Sequence, residues 1–232
     1  MVAVLGRTAR HLAAEDGYLD EAAPAVALVQ DGEATLLAIA PLVTMPPILA
    51  GRSVRAALRR IHPPYPGTSR EVDVIMAVAA GQQPRGDLSC GLIAEREDPF
   101  VAVYTPTTVM PPPAVSLRIP GDVAYGRHTI VATAAGSGVR SHLSHDWCRL
   151  ALPDVDLVVR AALPGERIDI GSGSKPIGVA FGEAGIPKRK RSAWPVIESH
   201  GRIAWVAGVR VAAWARVETS VTSWIELERR QA

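Results

Sequence analysis

Lys188-Arg189-Lys190-Arg191 sets four cations side by side. Burying a lone charge is very costly, so such a run faces solvent or an anion. Phosphate is the natural anion for clustered Arg and Lys. A solvated loop is the plainer reading, and as a nuclear-import signal the run is generic. Arg52, Arg55 and Arg59 recur at i, i+3 and i+7, with Arg60 beside them. That spacing puts three guanidinium groups on one side of a helix. Most such faces are merely solvated; the alternative is a helix that tracks an RNA backbone.

His142-x-x-His145-Asp146-x-Cys148 has zinc-type ligands at close spacing. No second ligand pair of comparable spacing accompanies it, so a polar turn running into a strand is the simpler account. Gly171-Ser-Gly-Ser-Lys175-Pro-Ile-Gly178 superficially suggests a phosphate loop. It lacks the Gly-Lys-Ser/Thr ending, and the proline directly after Lys175 keeps the lysine itself out of helical geometry, so the loop does not run into a helix at the lysine as a phosphate loop would. Lys175 is better read as one phosphate contact from a loop. All five tryptophans fall after residue 140. In a chain with two phenylalanines they read as core and edge packing, although Trp194, beside the basic run, could stack on a base. There is no Gly-x-Ser-x-Gly elbow, metalloprotease helix or standard nucleotide loop. No spacing of Asp and Glu marks a catalytic pair.

These residues need elements to hold them. The first thirty residues carry Leu5, Ala9, Leu12 and Ala13 at helical spacing, and Pro24 ends or kinks that helix. Asp31-Gly32 signals a turn into a short buried strand, Ala34–Ala40. Pro46-Pro47 opens a helix to about Arg60, burying Val54, Ala57, Leu58 and Ile61. Thr68 and Glu71 have capping-box spacing. The helix they start buries Val72, Ile75, Met76 and Ala79 and stops at Gly81. Leu88–Ala94 and Phe100–Tyr104 read as strands around a polar link. Thr105–Pro113, with four prolines and no charge, reads as a stiff linker. Beyond it come short β-rich runs: Val115–Ile119, Thr129–Thr133, Cys148–Leu152, Leu157–Ala161, Ile203–Val206 and Val209–Ala215. One helix is expected near Pro176–Glu183.

The expected fold is α+β: a mainly helical N-terminal half with a short hairpin, then a small α+β domain with a mostly antiparallel sheet. The expected boundaries are 1–108, a proline-rich linker at 109–114, and 115–232.

The 232 residues are 48% hydrophobic and 21% charged, which excludes a disordered or fibrous chain. Net charge is only +2, but residues 1–112 sum to −3 and residues 113–232 to +5. That asymmetry hints at an anionic partner for the second half. Two cysteines make no disulfide framework. Ala34–Gly51 carries no charge over 18 residues, yet Pro41, Pro46 and Pro47 break a membrane helix. The apolar stretch before Arg7 is too short for a signal peptide. No membrane partner and a cytoplasmic location are expected.

Val159-Arg160, Pro164-Gly165-Glu166-Arg167-Ile168, Lys175, Glu183, Gly185-Ile186-Pro187, Arg189, Arg191, Trp194-Pro195-Val196-Ile197 and Gly201-Arg202-Ile203-Ala204-Trp205-Val206-Ala207-Gly208 occur in this order. The set resembles the C-terminal domain of bacterial tRNA(Ile)-lysidine synthases, with Glu166 in place of the usual Asp. Leu49–Arg59 and the Thr68–Gly81 helix resemble, more loosely, that family's substrate-binding domain.

The resemblance implies a ligase that uses ATP and Mg to attach lysine to the wobble cytidine of isoleucine tRNA. In that family the chemistry belongs to an N-terminal ATP pyrophosphatase domain with a Ser-Gly-Gly-x-Asp-Ser loop. This sequence has no such loop and begins about where that domain would end. The chain is therefore expected to bind isoleucine tRNA, to hold no cofactor, catalytic residue or metal of its own, and to be inactive alone. The ATP-using domain would act in cis or in trans, and a homodimer is compatible with this reading. The cations expected on tRNA are Arg52, Arg55, Arg59, Arg160, Arg167, Lys175, Lys188, Arg189, Lys190, Arg191 and Arg202. A small metal enzyme using His142, His145 and Cys148 is the remote alternative.

Overall fold

Proline in the first turn, apolar residues at helical spacing and a glycine stop do organise the first hundred residues. The computed structural model describes residues 2–65, 67–108, 110–134, 146–152, 156–217 and 224–231. The chain divides into two compact units, Met1–Thr107 and Thr108–Ala232.

The first unit runs α1 (Val2–Ala22), β1 (Leu28–Asp31), β2 (Ala34–Ala38), α2 (Ile39–Thr44), α3 (Pro47–Ile61), α4 (Ser69–Ala79), β3 (Arg85–Asp87), β4 (Ile93–Glu97) and β5 (Phe100–Tyr104). Asp31-Gly32 makes the β1–β2 turn, with Gly32 at φ +66°, a conformation glycine adopts without a Cβ clash. Pro47 sits in the first turn of α3. Thr68 and Glu71 form the capping box of α4.

The strands make one antiparallel sheet in the order β1-β2-β5-β4-β3. Val54, Leu58, Ile75 and Val78 from α3 and α4 pack with Leu37, Val101 and Val103 on one face. Leu36, Ile93, Ala102 and Tyr104 occupy the other. This sheet is larger than the short hairpin expected of the first half. Leu88–Ala94 is not one strand, because Cys90 (φ +58°) and Gly91 (φ +72°) leave the extended region. The strand starts at Ile93 and runs to Glu97, so only Asp98-Pro99 of the expected polar link Glu95–Pro99 form the turn into β5. Glu95 fits there because its buried carboxylate accepts the Tyr104 hydroxyl at 2.5 Å.

The second unit runs β6 (Val115–Leu117), β7 (Gly121–Tyr125), β8 (His128–Ala134), β9 (Trp147–Leu150), β10 (Leu157–Ala161), β11 (Arg167–Asp169), β12 (Ser174–Pro176), α5 (Ile177–Glu183), α6 (Lys188–Arg191), β13 (Pro195–Ser199), β14 (Arg202–Val206), β15 (Arg210–Val211) and β16 (Ile225–Gln231). It has two antiparallel sheets, β15-β14-β13-β10-β6 and β7-β8-β16-β9, and a β11–β12 ribbon. Leu157, Val159, Ile197 and Trp205 of the first sheet meet Tyr125, Ile130, Leu150 and Leu227 of the second. The opposite face of the first sheet is covered by Ile168, Ile177 and Phe181 from the ribbon and α5. Strand alternation explains this: Leu157, Val159 and Ala161 are buried, while Val158 and Arg160 are half-buried on the other side. The α+β character expected of the chain is thus observed. The Tyr125 hydroxyl donates to the Pro112 carbonyl at 2.9 Å, fastening the end of the proline-rich segment to this unit.

Candidate nucleic-acid interface

In the first unit, α3 presents Arg52, Arg55 and Arg59 along one side, as their spacing requires. They line a cleft of about 290 Å³ against α1, with Asp16, Asp20 and Ser53. Ser53 is buried and donates to the Pro24 carbonyl at 2.7 Å, which ties the chain after α1 to α3. Arg55 and Arg59 are exposed. Arg52 differs from both. Its Nη1 bonds Asp20 at 2.5 Å and the Asp16 carbonyl at 3.1 Å, and its Nη2 bonds the Asp16 carboxylate. The hydrogen bond it donates to Asp16, then that to Asp20, holds the guanidinium even more firmly charged than usual.

The second unit gives its cations unequal roles. Arg160 is turned inward, 15% exposed, between Glu166 and Glu198. It also donates to the Ala161 carbonyl at 2.9 Å. Glu166 in turn accepts the Leu163 amide at 2.7 Å. Burial pushes the Glu166 carboxyl up, but Arg160 and that amide outweigh it and leave it below the usual range. The ordered Arg160 and Pro164-Gly165-Glu166 positions therefore close the turn after β10. Arg167 clamps the ribbon through the Ser174 hydroxyl (2.8 Å) and carbonyl (2.7 Å). Lys175 lies on both oxygens of Glu183, at 2.7 and 2.8 Å, and that contact draws the Glu183 carboxyl below its usual range.

The basic run forms the single turn of α6 after Pro187. Lys188 is exposed, and Arg189 and Lys190 are half-buried. Arg191 is half-buried: it donates to the carbonyls of Ile186 (2.9 Å) and Gly178 (3.4 Å) and lies over Phe181. Arg202 points outward. Its side chain is 61% exposed, 4.6 Å from the Trp214 ring centroid and 4.0 Å from Asp169.

Trp194 is no base-stacking platform. It is buried, donates Nε1 to the Ala207 carbonyl at 2.8 Å, and is covered by Arg229 at 4.5 Å. Arg229 also bonds Asp146. A further contact, Arg149 near the rings of both Trp147 (5.1 Å) and Trp224 (5.4 Å), is not among the sequence expectations. Its partners lie far apart in sequence, so only the alternation of β9 could have pointed to it. His142 and His145 lie outside the described residues. Cys148 is buried in the core, where burial pushes its thiol well up and disfavours the thiolate a metal needs. Among the described residues no group of His, Cys, Asp and Glu is arranged to hold a metal. Among them, too, no helix is long and apolar enough to cross a membrane.

Comparison with known proteins bears on the second unit most directly. Residues 157–227 match the family described as TilS substrate C-terminal domain. A tRNA(Ile)-lysidine synthase of Exiguobacterium sibiricum is 25% identical over 178 residues, covering 75% of this chain and 41% of the relative. One of Geobacillus kaustophilus is 27% identical over 237 residues, covering 94% and 50%. A crystal structure of a TILS C-terminal domain is 26% identical, with TM-score 0.45, covering 51% of this chain and 98% of that one. The chain thus spans half or less of the length of these curated relatives. Residues 157–227 are similar to the substrate C-terminal domain of that family, and the chain as a whole is similar to part of the two tRNA(Ile)-lysidine synthases.

Proposed function

We propose that this chain is the tRNA-gripping portion of a tRNA(Ile)-lysidine synthase. It holds isoleucine tRNA in the cytoplasm while an ATP pyrophosphatase-type domain, in cis or in trans, performs the lysine ligation with ATP and Mg. The observation that carries this reading is the match of residues 157–227 to the substrate C-terminal domain. The exposed cations Arg55, Arg59, Lys188 and Arg202 support it, because phosphate contacts position a nucleic acid without reading its sequence. Folded RNA is recognised mostly through shape and backbone, which suits such a surface. Arg160 serves this function as an internal clamp, and Arg167, Lys175 and Arg191 shape the surface through bonds within the unit.

Filter binding of the full chain to isoleucine tRNA across a salt series tests the reading. Binding at low salt that weakens log-linearly as salt rises is expected. No binding at low salt, or an affinity indifferent to salt, overturns it. Lysine and ATP turnover by the chain alone would overturn the division of labour.

A further inference from the structure

Asp16 and Asp20 stand one turn apart on α1, so both carboxylates fall on the same side. They converge on Arg52, whose side chain is 16% exposed, whereas theirs are 66% and 54% exposed. The carboxylates therefore reach from solvent into the cleft where Arg52, Arg55 and Arg59 lie in a row. A guanidinium fork binds carboxylate and phosphate in the same two-pronged way. The two acids thus occupy the Arg52 site as a phosphodiester would, and reverse the sign of charge at one end of the arginine row.

We propose that α1 is an internal competitor for RNA. Asp16 and Asp20 stand in for backbone phosphates on Arg52, and a tRNA that fully engages the α3 row must displace them. This inference rests on the tRNA-binding reading above and adds a regulatory contact to it. Arg55 and Arg59 accept phosphate first, and Arg52 is handed over only as the α1 carboxylates leave. Both carboxylates are more than half exposed, and the phosphate that displaces them gives Arg52 an equivalent partner, so the exchange is cheap. A partner that draws α1 away would raise RNA affinity without touching the RNA itself.

The test uses the full chain and isoleucine tRNA in a salt series. The D16N/D20N variant removes the competing carboxylates, and E15Q/E21Q makes the same charge change on α1 away from Arg52. D16N/D20N is expected to bind up to about fivefold more tightly than E15Q/E21Q, with a salt slope steeper by about one phosphate contact. Adding R52Q to D16N/D20N abolishes the gain, while R52Q alone changes binding little. If the wild type binds in a salt-dependent way but D16N/D20N gains no more than E15Q/E21Q, the competitor idea fails and the tRNA reading stands. A gain that survives R52Q likewise defeats it. A wild type that ignores tRNA at low salt overturns both.

Discussion

Arg160 and Glu166 meet as a two-pronged pair, with Nη1 3.0 Å from Oε2 and Nη2 2.6 Å from Oε1. Glu198 takes the remaining edge of the guanidinium, at 2.5 Å from Nε. One cation thus joins β10, the turn that follows it and β13. Replacing it with glutamine leaves two half-buried carboxylates facing each other. Breaking such a pair from one side costs about 3 kcal/mol, nearer the low end here because the site touches solvent. R160Q should lower the urea midpoint by that measure. Its tRNA salt slope should match the wild type, since the group already faces the protein. A flatter slope with unchanged stability would show the opposite role.

Glu71 is a buried carboxylate that completes more than a cap. It accepts the Thr68 amide (2.7 Å) and hydroxyl (2.9 Å), the Tyr65 hydroxyl (2.8 Å) and the Ser89 amide (2.8 Å). Burial alone would push its carboxyl up, but these bonds outweigh it and hold it down at about 2. A depressed carboxyl stabilises the fold above its unfolded value, near 4.5, and that stabilisation disappears as pH falls toward 2. The window corresponds to at most about 3 kcal/mol. E71Q should therefore be less stable at pH 7 by up to that amount, and should lose less than the wild type between pH 5 and 2. Chemical denaturation across that range reads both. Equal acid sensitivity in the two proteins would refute the assignment.

The local half of this arrangement is legible in the sequence. Thr68 and Glu71 lie three residues apart, and their box needs nothing from elsewhere. The same holds for Pro47, for the Asp31-Gly32 turn and for β10, whose alternation survives in Leu157, Val159 and Ala161. What Ser89 and Tyr65 add to Glu71 is not legible, because Tyr65 comes from the loop between α3 and α4 and Ser89 from the turn bent by the left-handed Cys90 and Gly91. The cations show the same division. Spacing put Arg52, Arg55 and Arg59 on one side of α3, yet Asp16 and Asp20, more than thirty residues away, decide that Arg52 differs. Glu95 reads as part of the polar link because it opens the charged run Glu95-Arg96-Glu97-Asp98 before Pro99. Its pairing with Ala102, and the Tyr104 hydroxyl that its carboxylate accepts from the adjacent strand, place it in the sheet.

Gly208 takes φ +71°, and a Cβ there would sit 2.8 Å from the Asp146 carboxylate and 3.1 Å from the Arg229 guanidinium. Those groups bond each other, and Arg229 covers Trp194, so Arg229 cannot retreat without loosening both contacts. G208A combines a left-handed backbone penalty of about 1 kcal/mol with that displacement. A loss of about 2 kcal/mol is expected, the upper part coming from displaced side chains. Tryptophan emission should shift toward the red as the cover over Trp194 loosens. An unshifted spectrum at wild-type stability would mean that the close approach is inconsequential.

His128 packs edge-on to the same Trp194, with ring centroids 4.9 Å apart. Its Nδ1 is buried with no hydrogen-bond partner. Burial lowers the imidazole from its ordinary 6.5 to about 4, with Arg229 and Lys190 pushing the same way and Asp146 opposing. The neutral ring is therefore the folded form. Between pH 6.5 and 4 the unfolded chain binds a proton that the folded chain refuses. This contribution is fully present above pH 6.5, is lost as pH falls toward 4, and changes no further below that. Its slope cannot exceed about 1.4 kcal/mol per pH unit, the value for one proton. H128F keeps an aromatic edge against Trp194 and forfeits no bond at Nδ1, so it should fold, and its stability should be flatter than the wild type's between pH 6.5 and 4. Below pH 4, where Glu71 governs, the two profiles should run parallel. Parallel profiles across the upper window as well would mean that His128 takes up its proton in the folded protein near its ordinary pH.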